Sequence, residues 1–397
     1  MQNVMLKEDI YYVGVNDSHR RLFDELIPLP DGTTYNSYLI KGSNKTALID
    51  TADPPKTDIL LKNLENTGIN KIDYIISHHG EQDHSGSIPA LLKAYPGAVV
   101  VTNEKCRAEL SSMLKVSQDS FKVIQDGEEL SLGNKTLKFI FTPWVHWPET
   151  FITYLVEDKI LFSCDFLGSH YAFDAKDGLF VENTDLIYLP AKRYYAQIMS
   201  PFRTVIRKNL GKIKELDVKI LAPSHGPLYR GMDFITECYS QWSSDSVKNE
   251  VLLAYVSMHG STKVIAEYFE DALKKRGIEV KAFNLGDADI GEIAMALTEA
   301  ATAVIGSPTV LAGPHPKAVF AAYLVKALRP KTKYLSVIGS YGWGGKMVEQ
   351  LAEMLGSVGA EIIEPVLVKG YPGNDDFAAL DELAGKILQK HKGLGLV

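Results

Sequence analysis

The 397-residue chain holds only three cysteines, Cys106, Cys164 and Cys238, far apart and without a Cys-x-x-Cys pair. Ligand count therefore excludes a four-cysteine iron site or an all-cysteine iron–sulfur cluster within this chain. An odd number of cysteines suits a reducing compartment, the cytoplasm, better than a disulfide scaffold. No apolar run approaches the roughly 18 residues of a membrane span. The N-terminal stretch MQNVMLKEDIYYVGV has charges and alternation where a signal peptide would have an apolar centre. Basic charge is not in excess: 42 Lys and Arg against 49 Asp and Glu leave a net charge of -7. That keeps the chain soluble and argues against a nucleic-acid partner, which calls for a basic field. What is present is an average globular mix, 46% hydrophobic and 23% charged, which excludes disordered and collagen-like architectures. At roughly 100–200 residues per domain, the length predicts two or three domains.

The first half is rich in short strand-like runs: Ile10 to Val15, Tyr38 to Ile40, Ala47 to Ile49 and Leu137 to Phe141. Turn residues separate them, as in Pro30-Asp31-Gly32. Helical stretches are interleaved at Thr57 to Asn66 and Ala90 to Ala94, so the expected class of this half is α/β or α+β in packed layers. The second half is more regular. Apolar runs at Val251 to Val256, Val280 to Phe283, Ala303 to Ile305, Tyr334 to Ile338 and Glu361 to Val368 alternate with helical patterns. These lie at Thr262 to Lys275, Ile290 to Ala300, Lys317 to Leu328, Gly345 to Leu355 and Phe377 to His391. This alternation predicts a doubly wound parallel sheet. The polar, Ser-rich stretch Ser240 to Glu250 marks the boundary, giving domains 1–248 and 249–397.

The first half carries a dense constellation, His79-Gly80-Glu81-Gln82-Asp83-His84, just after the apolar run Ile72 to Ile76. A strand-to-helix turn can fan alternate side chains toward two points, and imidazole with carboxylate suits iron, zinc or manganese. Further candidates follow later apolar runs: His146, Asp165 and His225. A lone His or Asp at such a place is ordinarily structural or a helix cap; these three gain force by following the cluster in order. Seven mixed ligands would hold two metal ions with open positions.

The second half offers Ser257-Met258-His259-Gly260-Ser261-Thr262 between its first strand and first helix. Backbone N–H groups and three hydroxyls at a helix N-terminus suit a phosphate. Two further strand-end loops are Ser307-Pro308-Thr309-Val310-Leu311-Ala312-Gly313 and Ser340-Tyr341-Gly342-Trp343-Gly344-Gly345. Open α/β sheets bind ligands at such ends. No G-x-G-x-x-G pattern occurs, so a dinucleotide is not expected.

The order HxExDH, His, Asp, His resembles the metallo-β-lactamase-like fold, with Glu81 where hydrolases of that fold usually carry histidine. The second half resembles a flavodoxin-like domain that binds FMN. Together, over essentially the whole chain, they resemble the flavodiiron protein family. That resemblance implies an N-terminal metallo-β-lactamase-like αβ/βα sandwich followed by a flavodoxin-like sheet. It implies a non-haem di-iron site reducing O2 to water, NO to N2O, or both, with electrons passed through FMN. His79, Glu81 and His146 would bind one iron, Asp83, His84 and His225 the other, and Asp165 would bridge. A glutamate at position 81 adds an oxygen ligand and a negative charge, which favours oxidised iron. The resemblance further implies an external donor, rubredoxin or a reduced deazaflavin, and a head-to-tail homodimer or dimer of dimers, with Trp147 and the Trp343 loop near the contact.

Tyr195 resembles a family tyrosine facing the bound gas, its other reading being a core aromatic; it is the candidate catalytic side chain. His78 and His170 read as structural or supporting residues. Trp147 packs against a flavin or within the core, and His19, His315 and His391 read as solvent or loop residues. The competing function is a dinuclear zinc hydrolase of the same metal-binding fold with an accessory flavodoxin-like domain, in which a metal-bound hydroxide attacks an ester, amide or phosphodiester. A third is an electron-transfer module with an inactive metal domain. Glu81 and the FMN-type loops speak against the hydrolase, and the complete ligand set against the inactive module.

Overall fold

A computed structural model describes residues 4–175 and 178–397; the first three residues of the N-terminal stretch lie outside it. The chain divides into two compact units. One comprises the chain up to Tyr195 with Phe202–Ser243, the other Ala196–Pro201 with Ser244–Val397. Ala196 belongs to the second unit's core, and Ser200 Oγ donates to the Leu328 carbonyl at 3.2 Å.

In the first unit, alternation along short strands builds two layers at once. The seven-stranded sheet runs in spatial order Val4–Lys7, Ile10–Tyr12, Tyr38–Lys41, Thr46–Ile49, Tyr74–Ile76, Val99–Thr102 and Phe121–Val123. Successive side chains point to opposite faces. Tyr38, Ile40, Ile49, Ile76 and Val101 therefore share one core with Phe139, Phe151 and Phe162 of the second, six-stranded sheet. Their neighbours Leu39, Leu48, Ile75 and Val100 face a separate core with Leu60, Leu64, Leu91 and Leu110 from helices Thr57–Asn66, Ile88–Ala94 and Glu104–Met113. The result is a sandwich of two sheets, with the strands Tyr38–Lys41, Thr46–Ile49, Tyr74–Ile76 and Val99–Thr102 apolar on both faces. Its strand ends carry the candidate ligands.

The second unit is a parallel sheet in the order Glu279–Asn284, Lys248–Tyr255, Ala300–Val310, Tyr334–Tyr341, then Glu361–Ile362 and Val366–Lys369. In chain order this is 2-1-3-4-5, the flavodoxin-like winding. Both faces are covered: Leu252, Ala254 and Ile305 contribute to one core, Val251, Leu253 and Val304 to the other.

Some sequence expectations shift. The helix expected over 290–300 ends at Leu297, and Ala300 already begins the long central strand. The run Glu361 to Val368 is broken into two strands around Pro365, which has no N–H to offer a ladder. Most of Ser240 to Glu250 is ordered as the end of helix Asp233–Ser243 and the start of strand Lys248–Tyr255. His391 is fully buried, on the inner face of helix Asn374–Gly393, rather than at solvent. Among the described residues no helix is long and apolar enough to cross a membrane.

Candidate metal centre and mononucleotide cleft

The strand Tyr74–Ile76 ends beneath a turn that leads into the short helix Gln82–Ser85, with Glu81 at its N-cap. The turn sends its side chains to two places. His79 and Glu81 meet His146 and Asp165, while Asp83 and His84 meet His225, the ligand atoms within each group lying within 4.8 Å of one another. In the first group, His79 Nε2 is 3.0 Å from Glu81 Oε2, and His146 Nε2 is 3.3 Å from the same oxygen. In the second, His225 Nε2 is 3.0 Å and His84 Nε2 3.4 Å from Asp83 Oδ2.

Asp165 stands between the groups. Its Oδ2 lies 3.4 Å from His146 Nε2 and 3.6 Å from His79 Nε2, and its Oδ1 lies 3.0 Å from His84 Nε2 and 3.3 Å from His225 Nε2. It occupies the first position after strand Ile160–Cys164. His225 lies two residues beyond strand Ile220–Pro223. His146 does not close a strand: the strand Thr136–Phe141 stops five residues earlier, and His146 sits in the connecting loop.

The donor chemistry fits a pair of cations. Among the described residues, the ion-pair partners of Glu81, Asp83 and Asp165 are histidines only. Asp83 Oδ1 and Asp165 Oδ2 are buried and accept no hydrogen bond, a costly arrangement for a carboxylate without a cation. Burial opposes charge on His79, yet hydrogen bonds with Glu149 and Glu81 push it up to about 10. Burial likewise opposes charge on His225, and hydrogen bonds with Asp165 and Asp83 push it up to about 10. Burial opposes ionisation of Asp165 too, but the charge of His84 and the neighbouring imidazoles of His146 and His225 hold it well below the usual carboxylate range. The site opens on one side: Glu81 and His146 are 19% and 16% exposed, whereas Asp83, His84 and His225 are at most 5%.

A second ring of groups aims these side chains. His79 Nδ1 faces Glu149 Oε1 at 2.6 Å, and His225 Nδ1 donates to the Thr34 carbonyl at 2.6 Å. Such partners fix the tautomer and leave Nε2 free for a metal. His78 points away, its ring held by Asp50 and Thr153 at 2.8 and 2.7 Å. His170 joins neither group; Thr33 Oγ1 holds its Nδ1 at 2.9 Å, and its ring packs 5.0 Å from that of His225. Trp147 lies edge-on to His79 at 4.7 Å.

Tyr195 is not brought to this centre. Its ring packs against Tyr239 and Trp242, and its buried hydroxyl makes no hydrogen bond. The preceding residue is the one that arrives: Tyr194 Oη donates to Asp165 Oδ1 at 2.9 Å. Successive helical residues point about 100° apart, so a one-residue difference exchanges the site for the core. Glu149 and Tyr194 were missed from sequence. Glu149 is 70 residues from the histidine it serves, and only its place three residues after His146 could have signalled it.

In the second unit, a cleft of about 210 Å³ is lined by Ser257, Met258, His259, Ser261, Thr262, Pro308, Thr309, Ser340, Tyr341, Gly342 and Gly370. It lies at the carboxyl ends of the strands, beside the point where the winding reverses. Gly260, at φ +95°, caps the helix Ser261–Lys274 without a side-chain hydrogen bond, and no acidic residue occupies the first turn. The first N–H groups of that helix are thus left to a phosphate. Thr262 Oγ1 and Ser340 Oγ lie 3.0 Å apart across the cleft floor. Leu311 and Trp343, 95% and 81% exposed, stand outside the lining, as do Val310, Gly344 and Gly345. Gly370 lines the cleft but was not anticipated; its place after the last strand, Val366–Lys369, is the available signal.

Known proteins match over both halves. Residues 33–226 match the ODP family beta lactamase, and residues 253–381 match the flavodoxin family. A nitric oxide reductase of Moorella thermoacetica is 33% identical over 97% of this chain and 98% of its own. The structure of rubredoxin oxygen:oxidoreductase from Desulfovibrio gigas superposes with a TM-score of 0.94 at 29% identity, covering 99% of each chain. That of the flavodiiron protein from Giardia intestinalis gives 0.88 at 26% identity, covering 98% of each.

Proposed function

We propose that this chain, which belongs to the flavodiiron protein family, reduces O2 to water, NO to N2O, or both, at two iron ions supplied with electrons through FMN. The observation that carries this reading is Asp165, whose two oxygens face two separate groups of histidine and carboxylate donors. His79, Glu81 and His146 would hold one iron, Asp83, His84 and His225 the other, and Asp165 both. The hydroxyl-rich loop Ser257 to Thr262 would hold the FMN phosphate. When bound, two ferrous ions and reduced FMN supply four electrons, enough with four protons to take O2 to two waters.

The protein's own groups do the rest. Glu149 and the Thr34 carbonyl hold His79 and His225 with Nε2 toward the centre. Tyr194 steadies the shared carboxylate by donating to Oδ1. Its pKa is raised by burial and by the charge of Asp165, so it remains a donor at neutral pH. Burial of the second group leaves approach to the side of Glu81 and His146. The diatomic substrate would approach past Glu81 and His146 on that side.

The donor would be rubredoxin or a reduced deazaflavin. The name of the Desulfovibrio gigas structure supports the first. The working unit would be a head-to-tail homodimer, or a dimer of dimers, in which the flavin of one chain serves the metals of its partner. Three buried free cysteines support a reducing, cytoplasmic location.

The test is metal analysis and a visible spectrum of the purified protein, followed by anaerobic reduction and separate O2 and NO consumption assays with each donor. About two irons per chain, a yellow flavin and consumption of either gas support the reading. Zinc without flavin would replace it with the hydrolase. A fully active monomer in analytical ultracentrifugation at assay concentration would overturn the dimer.

A further inference from the structure

Behind His79, outside both ligand groups, two carboxyl groups face each other. Glu149 takes the Gly80 N–H at 3.0 Å as well as His79 Nδ1 on its Oε1, while its Oε2 is buried and accepts nothing. Glu109, on the helix Glu104–Met113, also buries an Oε2 that has no donor. Both converge over Gly80: a Cβ there would meet Glu109 Oε2 at 2.7 Å and Glu149 Oε1 at 3.5 Å. A side chain at position 80 would push the Glu109 carboxyl aside.

Two carboxylates sharing one site cannot both ionise cheaply. The charged groups bearing on Glu109 are Glu149, His79 and the exposed Lys105. Glu149 Oε1 faces His79 Nδ1 and takes the Gly80 N–H, whereas the buried Oε2 of Glu109 has no donor at all. The proton therefore belongs to the other member of the pair.

We propose that Glu109 is a protonated positioning residue, donating from its carboxyl to Glu149 Oε2 and so setting how firmly Glu149 holds His79 toward the metal. The proposal rests on His79 being a ligand. Burial first, and then the charge of Glu149, push Glu109 up to about 7. Its proton is thus lost across the neutral range. Once it is gone, the pair carries a second negative charge, Glu149 pulls harder on the His79 Nδ1 proton, and Nε2 becomes the stronger donor. The hold on iron gains a pH dependence that originates outside the ligand set.

Two variants of the full-length, metal-loaded protein separate the parts of this proposal. Glu109→Gln keeps a hydrogen-bond donor that does not titrate, and Glu109→Leu removes the donor. The first readout is the carboxylic C=O band in an infrared difference spectrum taken across pH 6 to about 8.5. It is expected in the wild type and absent from Glu109→Gln. The second is the rate of iron release to a chelator. Glu109→Leu is expected to release iron severalfold more slowly than the wild type below neutrality, because Glu149, relieved of the donated proton, pulls fully on His79 Nδ1 at every pH, and to show no further slowing above about pH 7. Glu109→Gln is expected to match the wild type there, but to lack its slowing above about pH 7. An infrared band unchanged by Glu109→Gln, or an identical release profile in all three proteins, overturns the proposal. A wild type that holds no metal overturns instead the assignment of His79, and the infrared band still decides where the proton sits.

Discussion

Tyr194 Oη donates to Asp165 Oδ1 at 2.9 Å, the oxygen that faces His84 and His225. The adjacent tyrosine, Tyr195, buries a hydroxyl that makes no such bond. The two neighbours therefore predict opposite responses to loss of the same atom. Tyr194→Phe should cost about 1.5–3 kcal/mol, the range for a hydrogen bond to a charged group. Tyr195→Phe should stay within about 0.5 kcal/mol of the wild type or stabilise, because it removes a buried hydroxyl with nothing to satisfy it. Urea unfolding of both variants decides; a larger loss from Tyr195→Phe would reverse the assignment.

Glu81 supplies an oxygen to the more open of the two groups. Glu81→His would convert it to an imidazole and remove one negative charge. Iron content should fall severalfold and zinc uptake rise, since softer nitrogen donors favour zinc over oxidised iron. Elemental analysis of protein grown with both metals measures this, and full iron content with undiminished gas consumption would refute it.

The Thr262 hydroxyl, in the first turn of helix Ser261–Lys274, and the Ser340 hydroxyl, near the end of strand Tyr334–Tyr341, lie 3.0 Å apart. Thr262→Ala should weaken FMN by about 1.5–3 kcal/mol, which is roughly tenfold or more in Kd. Ser340→Ala should weaken it as well, and the double variant by less than the sum, because the two groups share a contact. Titration of the flavin-free protein by fluorescence quenching provides the numbers. Additive effects would mean that the two hydroxyls act separately.

His391 is buried between two fixed partners, Asn249 Oδ1 at 2.7 Å from Nδ1 and Thr302 Oγ1 at 2.8 Å from Nε2. Asn249 already donates its Nδ2 to the Gly277 carbonyl, so its oxygen accepts, and Nδ1 carries the proton. Burial pushes His391 down to about 4 from 6.5. The folded value lies below the unfolded one, so the unfolded chain takes up the proton first. Its contribution to stability is full above about pH 6.5 and is lost as pH falls toward 4. His391→Gln should be less stable than wild type at pH 7, yet lose less between pH 6.5 and 5. Parallel urea midpoints for the two proteins over that range would show that His391 is not the titrating group.

The sequence by itself determined whatever rests on local chemistry. Thr57–Asn66 was legible as a helix to its ends, since it begins behind Pro54-Pro55 and carries Leu60 and Leu64 one turn apart on its buried side. The alternation of strand and helix after Lys248 was enough to read the doubly wound sheet. So was the spacing from His79 to His84, which places two pairs of donors on a single turn. These features involve residues within a few positions of one another, where backbone geometry dictates direction.

The tertiary structure alone decided the rest. Which of Tyr194 and Tyr195 reaches Asp165 depends on the rotation of one helix about its axis, set by packing of Tyr195 on Tyr239 and Trp242. His391 reads as polar tail in a sequence full of lysine, but helix Asn374–Gly393 docks against the sheet and turns it inward onto Thr302, 89 residues away. Glu149 finds His79, and Glu109 finds Glu149, only after strands and helices distant in the chain are brought together around Gly80. Long-range partners leave no periodic trace in a sequence, because their meeting is enforced by the close packing of a core rather than by the geometry of the residues between them.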